Sequence, residues 1–284
     1  MKEEQSRAEK AAKDPDSKQA RMKSIRDALP IIAIRNSLID ALQSEHQVVI
    51  VSGGTGSGKS TQCPRYILED AIASGKGADT HIVVTQPRRI AAISVAERIA
   101  SERDEAIGNS VGYTVRFNRN PPRESGGSIE FVTTGILLRR LVNDPSLQGI
   151  SHVMIDEVHE RDIDTDFLLV LLRDLLVKRP ELRVVLMSAT LDAESFGRYF
   201  HPSDDEEATV PVMSVPTKPR HPVEVIHLED LACEEGEAAA TNPASDTPAV
   251  IQNLARSLLR LQDQQLQLEL EEAVAEEKVD IVLI

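Results

Sequence analysis

The sequence predicts an α/β domain, a mostly parallel sheet with helices on both faces, and three observations predict it. Short apolar runs recur through the middle of the 284-residue chain, each followed by a stretch whose apolar residues fall at helical spacing. The first run, Val48 to Val51, leads directly into Gly53-Gly54-Thr55-Gly56-Ser57-Gly58-Lys59-Ser60 and then a helical stretch. A later run, Val153 to Ile155, ends on two adjacent carboxylates, Asp156 and Glu157. In a parallel sheet these strand ends share one edge, and that edge is where such folds bind ligands.

The elements are expected in this order. Residues 1–28 are charged and poor in apolar side chains, so they read as disordered or as a solvated helix, with no function assigned. The core domain is placed at residues 29–230. Pro30 can open a helix to about Leu42, with Ile31, Ile34, Leu38 and Leu42 on one face. After the strand Val48 to Val51, a helix is expected from Ser60 to Ala73, with Pro64 near its first turn and Ser74-Gly75-Lys76-Gly77 ending it. Then follow a strand at 81–85, a helix at 89–102, a short strand at 111–116, a strand at 129–133 and a helix at 135–142. The cycle closes with strand 152–155, helix 164–178, strand 183–187 and helix 193–200. Beyond Phe200 a Pro-rich stretch interrupts the pattern before a last strand candidate at 223–228. Residues 231–248 read as an acidic linker, and 249–284 as a helix-prone segment running into the start of a further element.

Composition narrows the function classes. The net charge of −14 would argue against a nucleic-acid partner if it were evenly spread. It is not: about −13 of it falls from His201 onward and only about −2 between Gln47 and Phe200, so a basic groove on the middle segment is compatible with the total. Two cysteines, Cys63 and Cys233, form neither a disulfide framework nor a zinc quartet, which suits a reducing compartment. Apolar runs such as Phe167 to Leu172 are broken by Arg173-Asp174, far short of a membrane span. An intracellular chain is expected, cytoplasmic or nuclear with the cytoplasm favoured, and no membrane partner. His46, His81, His201, His221 and His227 show no ligand spacing, so no transition metal is expected.

The chemistry follows from residue types at the strand ends. Glycines let the loop curl through positive φ and turn its N–H groups inward, and a helix N-terminus adds a positive dipole end, so the loop suits a polyphosphate. Lys59 supplies a mobile cation for the outer phosphates, and the Ser60 hydroxyl suits Mg²⁺. Asp156 can hold Mg²⁺ through water, and Glu157 can orient and deprotonate an attacking water. An Asp-Glu pair alone is weak evidence; beside an intact phosphate loop it is strong. With about 97 residues between them, Lys59 and Asp156 are expected to meet across adjacent strand ends.

Six blocks in order make the chain resemble the first RecA-like lobe of a DEAH/RHA-type RNA helicase in its Asp-Glu-Val-His form. They are GGTGSGKST (Gly53 to Thr61), TQPRR (Thr85 to Arg89), TTG (Thr133 to Gly135), DEVHER (Asp156 to Arg161), SAT (Ser188 to Thr190) and PVEVIHLED (Pro222 to Asp230). The resemblance implies a RecA-like phosphate-loop fold that uses ATP and Mg²⁺. It implies that Gly53, Gly54, Thr55, Gly56, Ser57, Gly58, Lys59, Ser60 and Thr61 hold the phosphates, with Ser60, Asp156 and Glu157 around the metal. Glu157 would be the base, and Arg98 in SVAERIA would stack on the nucleotide base. Thr85, Arg88, Arg89, Thr133, Thr134 and Gly135 match the family's nucleic-acid blocks, with Arg116 in GYTVRF as a further contact. Arginines, hydroxyls and backbone amides there would track an RNA backbone without reading sequence, and 3% aromatic content disfavours wide stacking platforms. His159, Ser188 and Thr190 resemble the parts that couple nucleotide state to lobe movement; taken alone, His159 is also a partner for a nearby carboxylate, and Ser188 and Thr190 are also strand-end caps.

The chain departs from that family in three places. Gly54 stands where Glu is usual, and the stretch Val215 to His221 lacks the usual Gly-Arg step. No block resembles the second lobe's QRxGRxGR, whose arginines stabilise the transferring phosphate and can be worth about 10³ to 10⁵ in rate. The expectation is an ATP-binding lobe of an ATP-dependent RNA helicase that binds nucleotide but turns it over poorly without a second lobe. Its complete form would couple hydrolysis to 3′-to-5′ movement. The alternative is a non-catalytic nucleotide-sensing module whose acidic C-terminal segment binds a protein partner.

Overall fold

A computed structural model describes residues 18–123, 126–189, 193–200 and 210–216. Its strands are β1 (Val48–Ser52), β2 (His81–Gln86), β3 (Val111–Val115), β4 (Asn118–Asn120), β5 (Ser128–Thr133), β6 (His152–Ile155), β7 (Arg183–Ser188) and β8 (Val212–Ser214). They form one sheet in the order β4-β3-β5-β2-β6-β7-β1-β8. Every pairing is parallel except the β3–β4 hairpin. The helices are α1 (Lys18–Asp27), α2 (Arg35–Gln43), α3 (Lys59–Ala73), α4 (Arg89–Glu102), α5 (Thr134–Asn143), α6 (Ile163–Lys178) and α7 (Ala193–Phe200).

Strand side chains alternate between two cores because successive Cβ atoms point to opposite faces. Val49, Val51, Ile82, Val84, Phe131, Met154, Val185 and Met187 pack with α2, α3 and α4. Val48, Ile50, Val83, Val132, Val153, Ile155, Val184 and Leu186 pack with α5, α6 and Phe196 of α7. Burial on both faces is why these strands read as unbroken apolar runs. The predicted α/β class, helices on both faces of a mostly parallel sheet, is the class observed.

Four local expectations are corrected. The helix expected to run unbroken from Pro30 is a 3-10 turn (Pro30–Ile34) followed by α2. The tighter turn seats the chain under the phosphate loop: the Ile31 N–H donates to the Ser57 carbonyl at 3.1 Å, and a Cβ on Gly58 would lie 3.0 Å from both Ile31 Cγ2 and Leu29 Cδ1. Pro64 lies one turn inside α3 rather than in its first turn, where its ring removes the N–H that would bond the Ser60 carbonyl. β4 was not expected, since Asn118-Arg119-Asn120 has no apolar alternation; its pairing is decided by β3. Gly112 permits the close approach there, because a Cβ would meet the Asn120 carbonyl oxygen at 2.5 Å. β8, bracketed by Pro211 and Pro216, reads as loop in isolation but pairs with β1.

Residues 18–27, within the segment read as disordered or a solvated helix, form α1. The strand candidate at 223–228, the acidic linker and the C-terminal helical segment lie outside the described residues. Among the described residues no helix is long and apolar enough to cross a membrane.

Candidate functional site

The phosphate loop leaves β1 at Ser52 and crosses the end of β7, where the Gly53 N–H donates to the Ser188 carbonyl at 3.0 Å. This corrects the expectation of adjacent strands: β7 separates β1 from β6, and the loop with the start of α3 spans the gap. Gly56 and Gly58 take φ of 76° and 97°, which an L side chain resists, and Gly58 is the residue from which α3 starts. A Cβ on Gly53 would meet Val215 Cβ at 2.7 Å, so β8 closes the loop from the other side. Lys59 is buried, and its ammonium donates to the carbonyl of Gly53, to that of Gly54 at 3.1 Å and to Ser57 Oγ at 3.4 Å. All three acceptors are neutral, so the loop presents a buried cation within a ring of backbone dipoles. Thr55 and Gly56 are exposed at the loop tip, and Thr61 Oγ1 donates to the Gly58 carbonyl at 3.2 Å.

Asp156 ends β6 with 3% of its surface exposed. Its carboxylate accepts from Gln86 Nε2 at 2.5 Å and from the Glu157 N–H at 3.0 Å, and the Ser60 hydroxyl lies beside it. Burial raises its pKa above the usual carboxylate value; the neighbouring Glu157 charge adds to the rise, while the nearby Ser60 hydroxyl and the Gln86 bond oppose it. Cys63 is fully buried, and burial, with Asp156 nearby, pushes its thiol well up. A carboxylate beside a hydroxyl at a helix start is a hard-oxygen donor set, which fits Mg²⁺.

After Asp156 the backbone turns sharply. Glu157 (φ 54°) and Arg161 (φ 51°) are both left-handed and flank the 3-10 turn Val158–Glu160. Left-handed backbone at non-glycine residues costs on the order of 1 to 3 kcal/mol each and clusters at functional sites. The segment is held by fully buried Val158 and by Asp162, whose side chain caps α6 by accepting the Thr165 N–H at 2.9 Å. His159 Nδ1 accepts the Ala189 N–H at 3.2 Å and lies 3.5 Å from Glu157 Oε2. Because Nδ1 is accepting, it carries no proton in this arrangement, and the Glu157 contact becomes an ion pair only on protonation. The Asp-Glu-Val-His turn thus touches the Ser-Ala-Thr block through Ala189. Ser188 is buried; Thr190 lies outside the described residues.

The candidate RNA contacts sit at the ends of β3, β5 and β2, which neighbour one another in the sheet. Arg88 and Arg89 are exposed, with Arg88 Nη2 3.1 Å from Glu160 Oε1. Arg116 is exposed at the hairpin, its guanidinium 4.7 Å from the centroid of the exposed Phe117 ring. Thr133 and Gly135 are half-buried at the start of α5. Thr85 and Thr134 differ from the expectation of hydroxyls facing a ligand. Both are buried: Thr85 Oγ1 donates to the Met154 carbonyl at 3.5 Å, and Thr134 Oγ1 pairs with Thr165 Oγ1 at 3.5 Å. β-strand alternation and helix packing turn them inward, which leaves backbone groups for any phosphate contact.

Arg98 is half-exposed on α4, and its Nε donates to Glu102 Oε1 at 2.6 Å. Sequence reasoning missed three residues. Gln86 lay inside a recognised block and is the group that reaches Asp156. Glu102, one turn beyond Arg98, and Gln62, just after the phosphate loop, bond each other at 3.0 Å. The i,i+4 spacing of Arg98 and Glu102 was the available signal for that cluster.

Residues 33–197 match the family described as DEAD/DEAH box helicase. The chain is 48% identical over 210 residues to the DExH-box ATP-dependent RNA helicase DExH1 of Arabidopsis thaliana, covering 74% of this chain and 20% of that protein. It is 46% identical over 209 residues to the human ATP-dependent RNA helicase DHX30, covering 74% and 17%. It is 47% identical over 213 residues to RNA editing associated helicase 2 of Trypanosoma brucei brucei, covering 75% and 9%. The chain therefore spans a fifth or less of the length of each of these relatives.

Proposed function

The chain belongs to the DEAD/DEAH box helicase family, and we propose that it is the ATP-binding lobe of an ATP-dependent RNA helicase. The observation that carries this reading is the convergence of Lys59, Ser60 and Asp156 over the ends of β1, β7 and β6, with Ser60 beside the Asp156 carboxylate that Gln86 holds. Gly53 to Thr61 would cradle the phosphates, and Lys59 would exchange its backbone carbonyl partners for phosphate oxygens. Ser60 and Asp156, with Glu157 alongside, would hold Mg²⁺, which when bound neutralises charge developing on the phosphates. Glu157, half-exposed beside the buried Asp156, would orient a water and take its proton. Arg98 would stack on the base.

RNA would run along the β3–β5–β2 rim, held through its phosphates by Arg88, Arg89 and Arg116. His159 and Ser188 would report nucleotide state, since both bond the segments that meet at the phosphate loop. In this reading a second RecA-like lobe, from a longer form or a partner chain, supplies the arginines that complete the site. The acidic C-terminal segment would take a protein partner. Work on cytoplasmic or nuclear RNA fits, the cytoplasm being favoured.

The test is ATP hydrolysis by this chain with and without single-stranded RNA, beside Lys59→Ala and Glu157→Gln. Weak turnover that either substitution abolishes is the expected result. Turnover undiminished in Glu157→Gln would remove the base assignment, and turnover undiminished in Lys59→Ala would remove the site.

A further inference from the structure

We propose that Glu102 is a positioning residue for Arg98, tying the base side of the nucleotide site to the phosphate-loop helix through Gln62. The inference rests on the reading of Arg98 as the base-stacking arginine.

The Glu102 side chain is 2% exposed, and no step of the proposed chemistry uses it. A buried carboxylate is costly unless paired, and here both oxygens are used. Oε1 accepts from Arg98 Nε at 2.6 Å; Oε2 accepts from Gln62 Nε2 at 3.0 Å and lies 3.9 Å from Arg65 Nη1. Gln62 continues the chain into the loop, since its Nε2 also reaches Thr61 Oγ1 at 3.1 Å and its N–H donates to the Gly58 carbonyl at 2.9 Å. Arg98, Glu102, Gln62 and Gly58 therefore form one connected path from α4 to the phosphate loop.

Helix energetics do not explain a carboxylate here. Glu102 is the last residue of α4, the end at which the helix dipole disfavours negative charge. Arg preceding Glu at i,i+4 is also the weaker of the two orders for a helical ion pair. What the carboxylate does is take the Nε of a long, many-rotamer side chain and fix its direction while about half of that side chain stays exposed. α1 touches the pair from one side: Arg26 Nη1 donates to the Glu102 carbonyl at 3.0 Å, and Met22 Sδ lies 4.0 Å from Arg98 Nη2.

The experiment compares binding of ATP and of inorganic tripolyphosphate, which has no base, by calorimetry in Mg²⁺. Glu102→Gln keeps the shape, but its amide accepts on one oxygen only and turns donors toward Arg98 or Gln62. It should weaken ATP roughly 3- to 10-fold, leave tripolyphosphate unchanged, and add nothing on an Arg98→Ala background. Equal loss for both ligands, or no loss for either, overturns the proposal. If thermal melting shows that Glu102→Gln does not fold, Glu102→Asp, which keeps the charge but shortens the reach, carries the same expectation. An ATP-specific loss in Arg98→Ala but in neither Glu102 variant overturns Glu102 alone. An Arg98→Ala variant that treats both ligands alike removes the base-stacking reading and the Glu102 inference with it.

Discussion

The carboxyl edge of the sheet has two halves that are built differently. On β6, β7 and β1 the candidate groups are buried and cross-tied: Lys59 to loop carbonyls, Asp156 to Gln86, the Gly53 amide to Ser188. On β3, β5 and β2 the candidate cations Arg88, Arg89 and Arg116 are exposed. The first half suits a small ligand of high charge density, for which fixed dipoles and excluded water raise each contact's worth. The second suits a polymer backbone, for which many weak, screened contacts add up. Gln86 stands at the border: it follows Thr85 in β2, at the head of the rim segment, and bonds the buried carboxylate of β6.

If the contrast is right, the largest effect of a single substitution falls in the buried half. Asp156→Asn should cost nucleotide about 100-fold or more in Mg²⁺-dependent affinity, read by calorimetry. The same substitution should raise the melting temperature of the ligand-free chain by a few degrees. Burial raises the folded pKa of Asp156, so at neutral pH the charged carboxylate costs stability that the neutral amide does not. Gln86 can turn its own amide to match.

Gln86→Leu tests the border. It removes a partner from Asp156 without touching phosphate, so Mg²⁺-dependent affinity should fall roughly 10- to 100-fold while Mg²⁺-independent binding is spared. An equal fall in both would make Gln86 a packing residue.

A third effect separates the two ends of β6. His152, at the amino end, is pushed down to about 4 by burial, with Arg183 adding to the fall. A histidine whose folded pKa is depressed lends stability above its unfolded pKa of about 6.5, and that stability drains as pH falls toward 4. The loss should be on the order of 1 to 3 kcal/mol, partly masked because Asp156 titrates with the opposite sign. His152→Asn should flatten the pH 4 to 6.5 limb of a urea-denaturation series, whereas Asp156→Asn should steepen it.

The smallest effect belongs to the open half. Arg116→Ala should weaken single-stranded RNA only a few-fold, equally across sequences, and lower the slope of affinity against salt by about one. A loss confined to one RNA sequence would mean base readout and would break the comparison.

Much of this was legible in the chain because the strands are buried on both faces. Runs such as Val48 to Val51 and Arg183 to Met187 need no partner to be recognised, and the glycines of the phosphate loop announce its positive φ. What was not legible depends on pairing across long separations. Nothing local places β7 between β1 and β6, makes a strand of Val212–Ser214, or turns the Thr85 and Thr134 hydroxyls inward. Gln86 escaped notice for the same reason, its partner being 70 residues away, and so did the tie from Glu102 to Gln62, 40 residues away, although Arg98 at i,i+4 was in view.

The most direct test of the central claim is calorimetric titration of ATP into this chain with Mg²⁺, with chelator, and with Lys59→Ala in Mg²⁺. Binding is expected to be tight in the first case, markedly weaker with chelator, and lost in Lys59→Ala. Affinity unchanged by Lys59→Ala and by removal of Mg²⁺ would contradict this, because the buried loop would then not be where the nucleotide sits.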